Sequence, residues 1–254
     1  MATGTVNFTD KSLKRFAEDL VKVLEDLEKR IVGIINGTQT ARDVFDSTAI
    51  LNSRAAMLNA LEESGYNELA RAHVAKYGEI PAIAGKDFTK FDLPAPKFTT
   101  VDTRTMQALS RADLEGFASI GTKAMDDLRL GIYKQAVASQ PFSELVATVK
   151  AATVGTAKNG SALSNYAYTH ANTAMLNFEG EVLRMAGESI GFDGDDDLWI
   201  VEGPDDAVTR DVCQDALNDP VRTKEEWQDI GYWGGTPGGW NCRHQLFPYQ
   251  GSVN

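Results

Sequence analysis

The chain has 254 residues, 43% of them hydrophobic, and a net charge of −11 from 25 Lys and Arg against 36 Asp and Glu. That balance excludes a disordered chain and supplies enough length to bury a core, while so acidic a body is repelled by phosphate backbones and is not expected to coat nucleic acid. The two cysteines, Cys213 and Cys242, are too few for a secreted disulfide framework.

The first residues, MATGTVNFTDKSLKRF, hold no apolar core of the kind a signal peptide needs. The apolar run 31–35 is interrupted by Gly33 and is far too short to span a bilayer. A protein of a reducing cytoplasm, without a membrane partner, is the expectation. Thr9 or Asp10 is placed to cap a first helix, along which Leu13, Phe16, Leu20, Val23, Leu24, Leu27, Ile31 and Ile34 recur at steps of three and four. This is the single apolar stripe of a long amphipathic helix, ended by Asn36-Gly37. Basic and acidic residues alternate on its polar face, as on a solvated, self-compensating surface.

Thr40, with Asp43 three residues on, predicts the start of a second helix. It would run through Val44, Phe45, Ile50, Leu51, Met57, Leu58 and Leu61 to a break at Ser64-Gly65, with a third, short helix over 67–77. Over 78–100, Pro81, Pro94, Pro96, Gly78 and Gly85 argue against a continuous helix and for a linker or extended arm. Helical pattern resumes after Asp102 and continues to about Ser139, where Pro141 closes it. Ser143 is placed to cap a short helix to Ala152, a loop is expected over 155–160, and a last long helix over 161–186. Beyond Gly191, residues 198–201 read as a strand and 240–249 as irregular and aromatic-rich. The expected architecture is mainly α with a small C-terminal α+β cap. Its blocks are an N-terminal helical region (1–79), a Pro-rich linker or arm (80–101), a helical body (102–190) and the cap (191–254).

Several segments invite chemistry. Asp193, Asp195 and Asp197 match the first positions of a calcium loop, but Leu198 then stands where its glycine belongs and Pro204 where its bidentate Glu belongs, so the run reads as a polar turn. Cys213, Cys242 and His244 form the densest set of soft ligands, and zinc is the metal such a set suggests, with Asp205 or Asp206 as a weaker fourth donor. Cys213 lacks a nearby soft mate in sequence, so two thiols buried in a small core are the plainer expectation, with no cofactor. Cys242 and His244, two residues apart, would point the same way on a strand, as a nucleophile and its base require, yet no oxyanion hole is identifiable beside them. His170 falls on a helix of small and polar residues and reads as a packed side chain. The run 234–239, Gly-Gly-Thr-Pro-Gly-Gly, lacks the Lys-Ser/Thr and the following helix of a phosphate-binding loop.

Taken together, the end of the chain forms a recognisable constellation. Trp199 in a short strand is followed by Gly203-Pro204-Asp205-Asp206, then Thr209-Arg210-Asp211-Val212-Cys213, Pro220-Val221 and Pro237-Gly238-Gly239-Trp240-Asn241-Cys242-Arg243-His244. Over 161–249 this resembles the C-terminal module of tailed-phage minor head proteins, the Mu F-like head-morphogenesis family. The signature residues are Trp199, Asp205, Thr209, Cys213, Asn241, Cys242, Arg243 and His244. The Arg-Thr-Glu that the family carries near the start of the preceding helix is replaced here by Tyr168-Thr169-His170, and the cysteines are fewer. The resemblance implies a non-enzymatic structural protein of the virion, assembled in the host cytoplasm and associated with the portal vertex or capsid interior. Its expected partners are portal and capsid proteins and further copies of itself, reached through the apolar faces of the long helices. A head-to-tail connector ring is one alternative. A metal-dependent hydrolase or toxin-like module built on Cys213, Cys242 and His244 is another.

Overall fold

In the computed structural model, residues 4–155, 160–207, 209–233 and 242–251 are described. Helix α1 spans Gly4–Asn36, starting ahead of the expected cap at Thr9 or Asp10. A distant acid accounts for the difference. Asp87, on helix α5 (Ile80–Lys90), accepts the backbone N–H of Gly4 at 2.9 Å and of Thr5 at 2.8 Å. First-turn N–H groups have no partner within their own helix, and a carboxylate there also meets the positive end of the helix dipole. Thr9 is buried instead of capping, and its hydroxyl donates to Glu179 at 2.7 Å.

Residues 39–45 form a hairpin, not the start of the second helix. Strands β1 (Gln39–Ala41) and β2 (Val44–Phe45) pair antiparallel. Asp43 turns between them with φ 56°, a left-handed conformation that Asp tolerates because its short side chain bonds locally. The cap belongs to Asp46, which accepts from the Ala49 N–H and opens α2 (Ser47–Asn52). Helix α3 (Arg54–Glu63) ends at the expected break, where Gly65 has φ 87°, and α4 covers Tyr66–Ala75.

The expected linker is mostly helical as well. A 3-10 turn (Lys76–Glu79) leads directly into α5, whose first turn holds Pro81. Proline is tolerated there because its missing N–H would have had no intrahelical partner. The stretch without regular structure is confined to 91–99. Thr99 and Asp102 then bond each other's backbone N–H reciprocally and start α6 (Thr100–Val137). Pro141, not Ser143, holds the N-cap position of α7 (Phe142–Thr153). Ser161 accepts from the Ser164 N–H at the start of α8 (Ala162–Glu188).

Backbone contacts divide the chain into two compact units of interleaved segments, 1–13, 74–113 and 171–254 in one, 14–73 and 114–170 in the other. In the second unit, Phe16, Leu20, Leu24, Leu27 and Ile31 of α1 are all buried. Phe16 packs on His73 at 4.8 Å and on Phe117 at 5.6 Å between ring centres. His170 stands edge-on to Phe117 and lies against Gly116, where any Cβ would collide with the ring. Each such side chain is worth about 1.5–3 kcal/mol when fully buried. The stripe of α1 is therefore used inside the protein, which removes it as the docking face expected for partners.

The first unit carries the cap. Strand β3 (Leu198–Glu202) is central, flanked by β4 (Val221–Thr223) and β5 (Gln245–Pro248), both antiparallel to it. Strand β5 replaces the irregular chain expected over 245–248, because its four residues find β3 as a partner and are buried throughout. Helices α9 (Asp211–Asn218) and α10 (Lys224–Asp229) complete the cap, α10 opened by a Thr223–Glu226 capping box. Trp199 and Val201 alternate inward along β3. The cap seats on α8: Gly187 leaves room for the Trp199 ring and Pro248, and the Gln245 side-chain amide donates to the Leu176 carbonyl at 3.0 Å. In the acidic turn before β3, Asp197 accepts the Gly194 N–H, as a polar turn requires.

Candidate functional site

Antiparallel pairing of β3 with β5 brings the two ends of the sequence constellation together. Glu202 lies opposite Gln245, so the residues just after β3 meet those just before β5. Between them, Thr209 ties back onto the residues that follow β3. Its hydroxyl donates to the Pro204 carbonyl at 3.0 Å and accepts the Asp206 N–H at 2.9 Å. The chain then enters α9, which places Cys213 facing inward in the first turn, 2% exposed.

Cys213, Cys242 and His244 are all buried, and their ligating atoms lie within 4.8 Å of one another. The two Sγ atoms are 3.8 Å apart, and Cys242 Sγ is 3.7 Å from His244 Nδ1. Neither cysteine is in a disulfide. The Tyr232 hydroxyl faces the pair, 3.9 Å from Cys242 Sγ. Burial pushes the Tyr232 phenol well above its ordinary range, and the neighbouring sulfurs push it further, so it keeps its proton.

The state of His244 follows from its other nitrogen. Nε2 lies 2.9 Å from the Pro204 carbonyl oxygen. A carbonyl can only accept, so Nε2 carries the proton. Burial lowers the His244 pKa; the Pro204 bond opposes this and the Arg243 charge adds to it. The neutral ring therefore turns the lone pair of Nδ1 toward Cys242. Gly203 makes the arrangement possible, since a Cβ there would collide with the His244 ring.

Arg243 points the other way and grips Asp206 with two hydrogen bonds, of 2.9 and 2.6 Å. The acid in the turn that does this work is Asp206, exposed like its neighbour Asp205, the signature residue singled out from the sequence. Trp199 lies in the same core cluster as both cysteines, Trp227 and Tyr232, and its carbonyl accepts the Trp227 indole N–H at 3.0 Å. Six of the eight signature residues, Trp199, Thr209, Cys213, Cys242, Arg243 and His244, thus contribute to one small core and its lid. Asn241, together with 234–240, lies outside the described residues.

Sequence reasoning missed Tyr232 and the roles of Gly203 and Asp206. Only Asp206 left a trace, its three-residue spacing to Thr209 being that of a side-chain-capped turn. A second group was missed at Glu179. It sits on α8 among Met175, Phe178, Val182 and Leu183, all buried, and an acid on such a stripe is the signal that was available. Burial raises its pKa to about 7, against hydrogen bonds from Thr9 and Thr5 that lower it.

No family model, no curated protein and no solved structure matches this chain.

Proposed function

We propose that this chain is a structural, non-enzymatic component of a tailed-phage virion, a minor head protein of the Mu F-like kind acting in capsid assembly near the portal vertex. The observation that supports this reading is the convergence in the cap. Residues spread over 199–244 and singled out by the resemblance share one core and its covering turn, held by Thr209, the Arg243–Asp206 pair and the His244–Pro204 bond. Burial of the Cys242 thiol and the His244 ring, at 1% and 2% exposed, suits a core that shapes a module better than a nucleophile that must meet substrate.

Such a module acts by recognition. With the α1 stripe consumed internally, the surfaces left for portal or capsid subunits are the charged helix faces and scattered apolar side chains such as Val101 and Tyr166. Contacts of that composition are specific and salt-sensitive. The test is to mix the purified chain with the portal oligomer encoded by the same genome and follow both by size-exclusion chromatography with light scattering. Co-elution that weakens as salt rises is the expected result. Separate elution at every salt concentration refutes the reading. A stable ring of the isolated chain, seen by negative stain, would instead identify a head-to-tail connector.

A further inference from the structure

We infer that Cys213, Cys242 and His244 form a zinc-type metal centre that locks the C-terminal cap, whatever the chain assembles with. Three independent features of the site carry this. The first is distance. Zinc–sulfur bonds of about 2.3 Å in a tetrahedron hold two thiolates about 3.8 Å apart, and a thiolate and an imidazole nitrogen about 3.6 Å apart. Here Sγ–Sγ is 3.8 Å and Cys242 Sγ–His244 Nδ1 is 3.7 Å. A disulfide would need the sulfurs at about 2.05 Å.

The second is the orientation of the histidine. Metal-bound imidazoles characteristically donate their other N–H to a carbonyl or carboxylate, which fixes the tautomer and aims the lone pair. His244 does this through Nε2 to Pro204 at 2.9 Å, in a space that only a glycine at 203 leaves open. The third is convergence from separate elements. Cys213 comes from α9, 29 residues before Cys242, while Cys242 and His244 come from the segment entering β5. Packing two thiols together does not require a third soft donor aimed at the same point.

On binding, each cysteine thiol releases its proton to solvent, two sulfurs and one nitrogen replace metal-bound waters, and one solvent oxygen keeps the fourth position. Two thiolates cancel the dication, so the buried site becomes neutral. The Tyr232 hydroxyl, 3.9 Å from Cys242 Sγ, is placed to donate to that thiolate. The centre ties α9 to the strand-entry segment, a link that the small sheet alone does not provide.

The test uses Co²⁺ as a spectroscopic probe on the full-length, reduced protein. Expected are one cobalt per chain, a thiolate-to-metal charge-transfer band, and its loss when Zn²⁺ displaces the cobalt. Cys213→Ser and His244→Gln should weaken binding by more than about tenfold, while Tyr232→Phe should retain the metal and shift the band. Because the decisive reading is on the unaltered protein, misfolding of a variant does not cloud it. Cobalt bound without a charge-transfer band, or cysteines that react with a thiol reagent equally fast with and without one equivalent of zinc, would overturn the inference.

Discussion

Glu179 occupies a place on α8 where its neighbours along the helix are apolar, and its carboxyl is fully buried. Burial raises its pKa from 4.5 to about 7, and Asp10 and Asp87 add to the effect. The consequence for stability has a definite sign. Below pH 4.5 the carboxyl is protonated in both folded and unfolded chains and costs nothing. Between 4.5 and 7 the unfolded chain ionises first, so stability falls as pH rises, and above 7 the full cost is present. Its size is on the order of 3 kcal/mol. Glu179→Gln keeps an acceptor for Thr9 and removes the ionisation. Urea unfolding across pH 4–8 should show the variant gaining on the parent as pH rises and levelling off above 7. Parallel stability curves for the two proteins would contradict the assignment. At the same scale, the site was half legible. Cys213, Cys242 and His244 stand out as residue types, but that Asp206 pairs with the intervening Arg243, and that a tyrosine and a glycine complete the setting, depends on a turn geometry no residue type announces.

Helices with their own apolar period, α1, α6 and α8, were legible because a stripe at steps of three and four needs no knowledge of the partner. Elements that depend on a distant partner were not. Strand β5 exists because β3 lies beside it, and α5 continues through Pro81 because the proline falls in the first turn. The start of α1 is the sharpest case, since its cap, Asp87, lies 83 residues from Gly4. Asp87→Ala should remove two hydrogen bonds to the first turn and cost about 1–2 kcal/mol, the range for loss of a helix cap. Hydrogen exchange should locate the effect, with faster exchange at the amides of residues 4–9 and little change in α3 or α7. Uniformly faster exchange would mean that Asp87 supports more than the end of α1.

For the molecule as a whole, a mainly helical body with a small α+β cap was legible from composition and period, whereas the division into units was not. Four consecutive blocks were the natural reading of the chain order. The contacts instead interleave segments, and α1, α6 and α8 each contribute an end to each unit. Sequence order cannot convey that, because long helices carry the chain from one unit to the other without any composition change at the crossing. Function enters at this scale too, since the cap is a module whose residues serve its own integrity, and on the proposed reading its role depends on the particle it joins. The most direct test is quantitative mass spectrometry of particles purified from cells in which the genome encoding this chain directs phage assembly. The account predicts the chain in DNA-filled heads, at a fixed low ratio to the portal protein. Its absence from purified particles, while abundant in the same lysate, would contradict it.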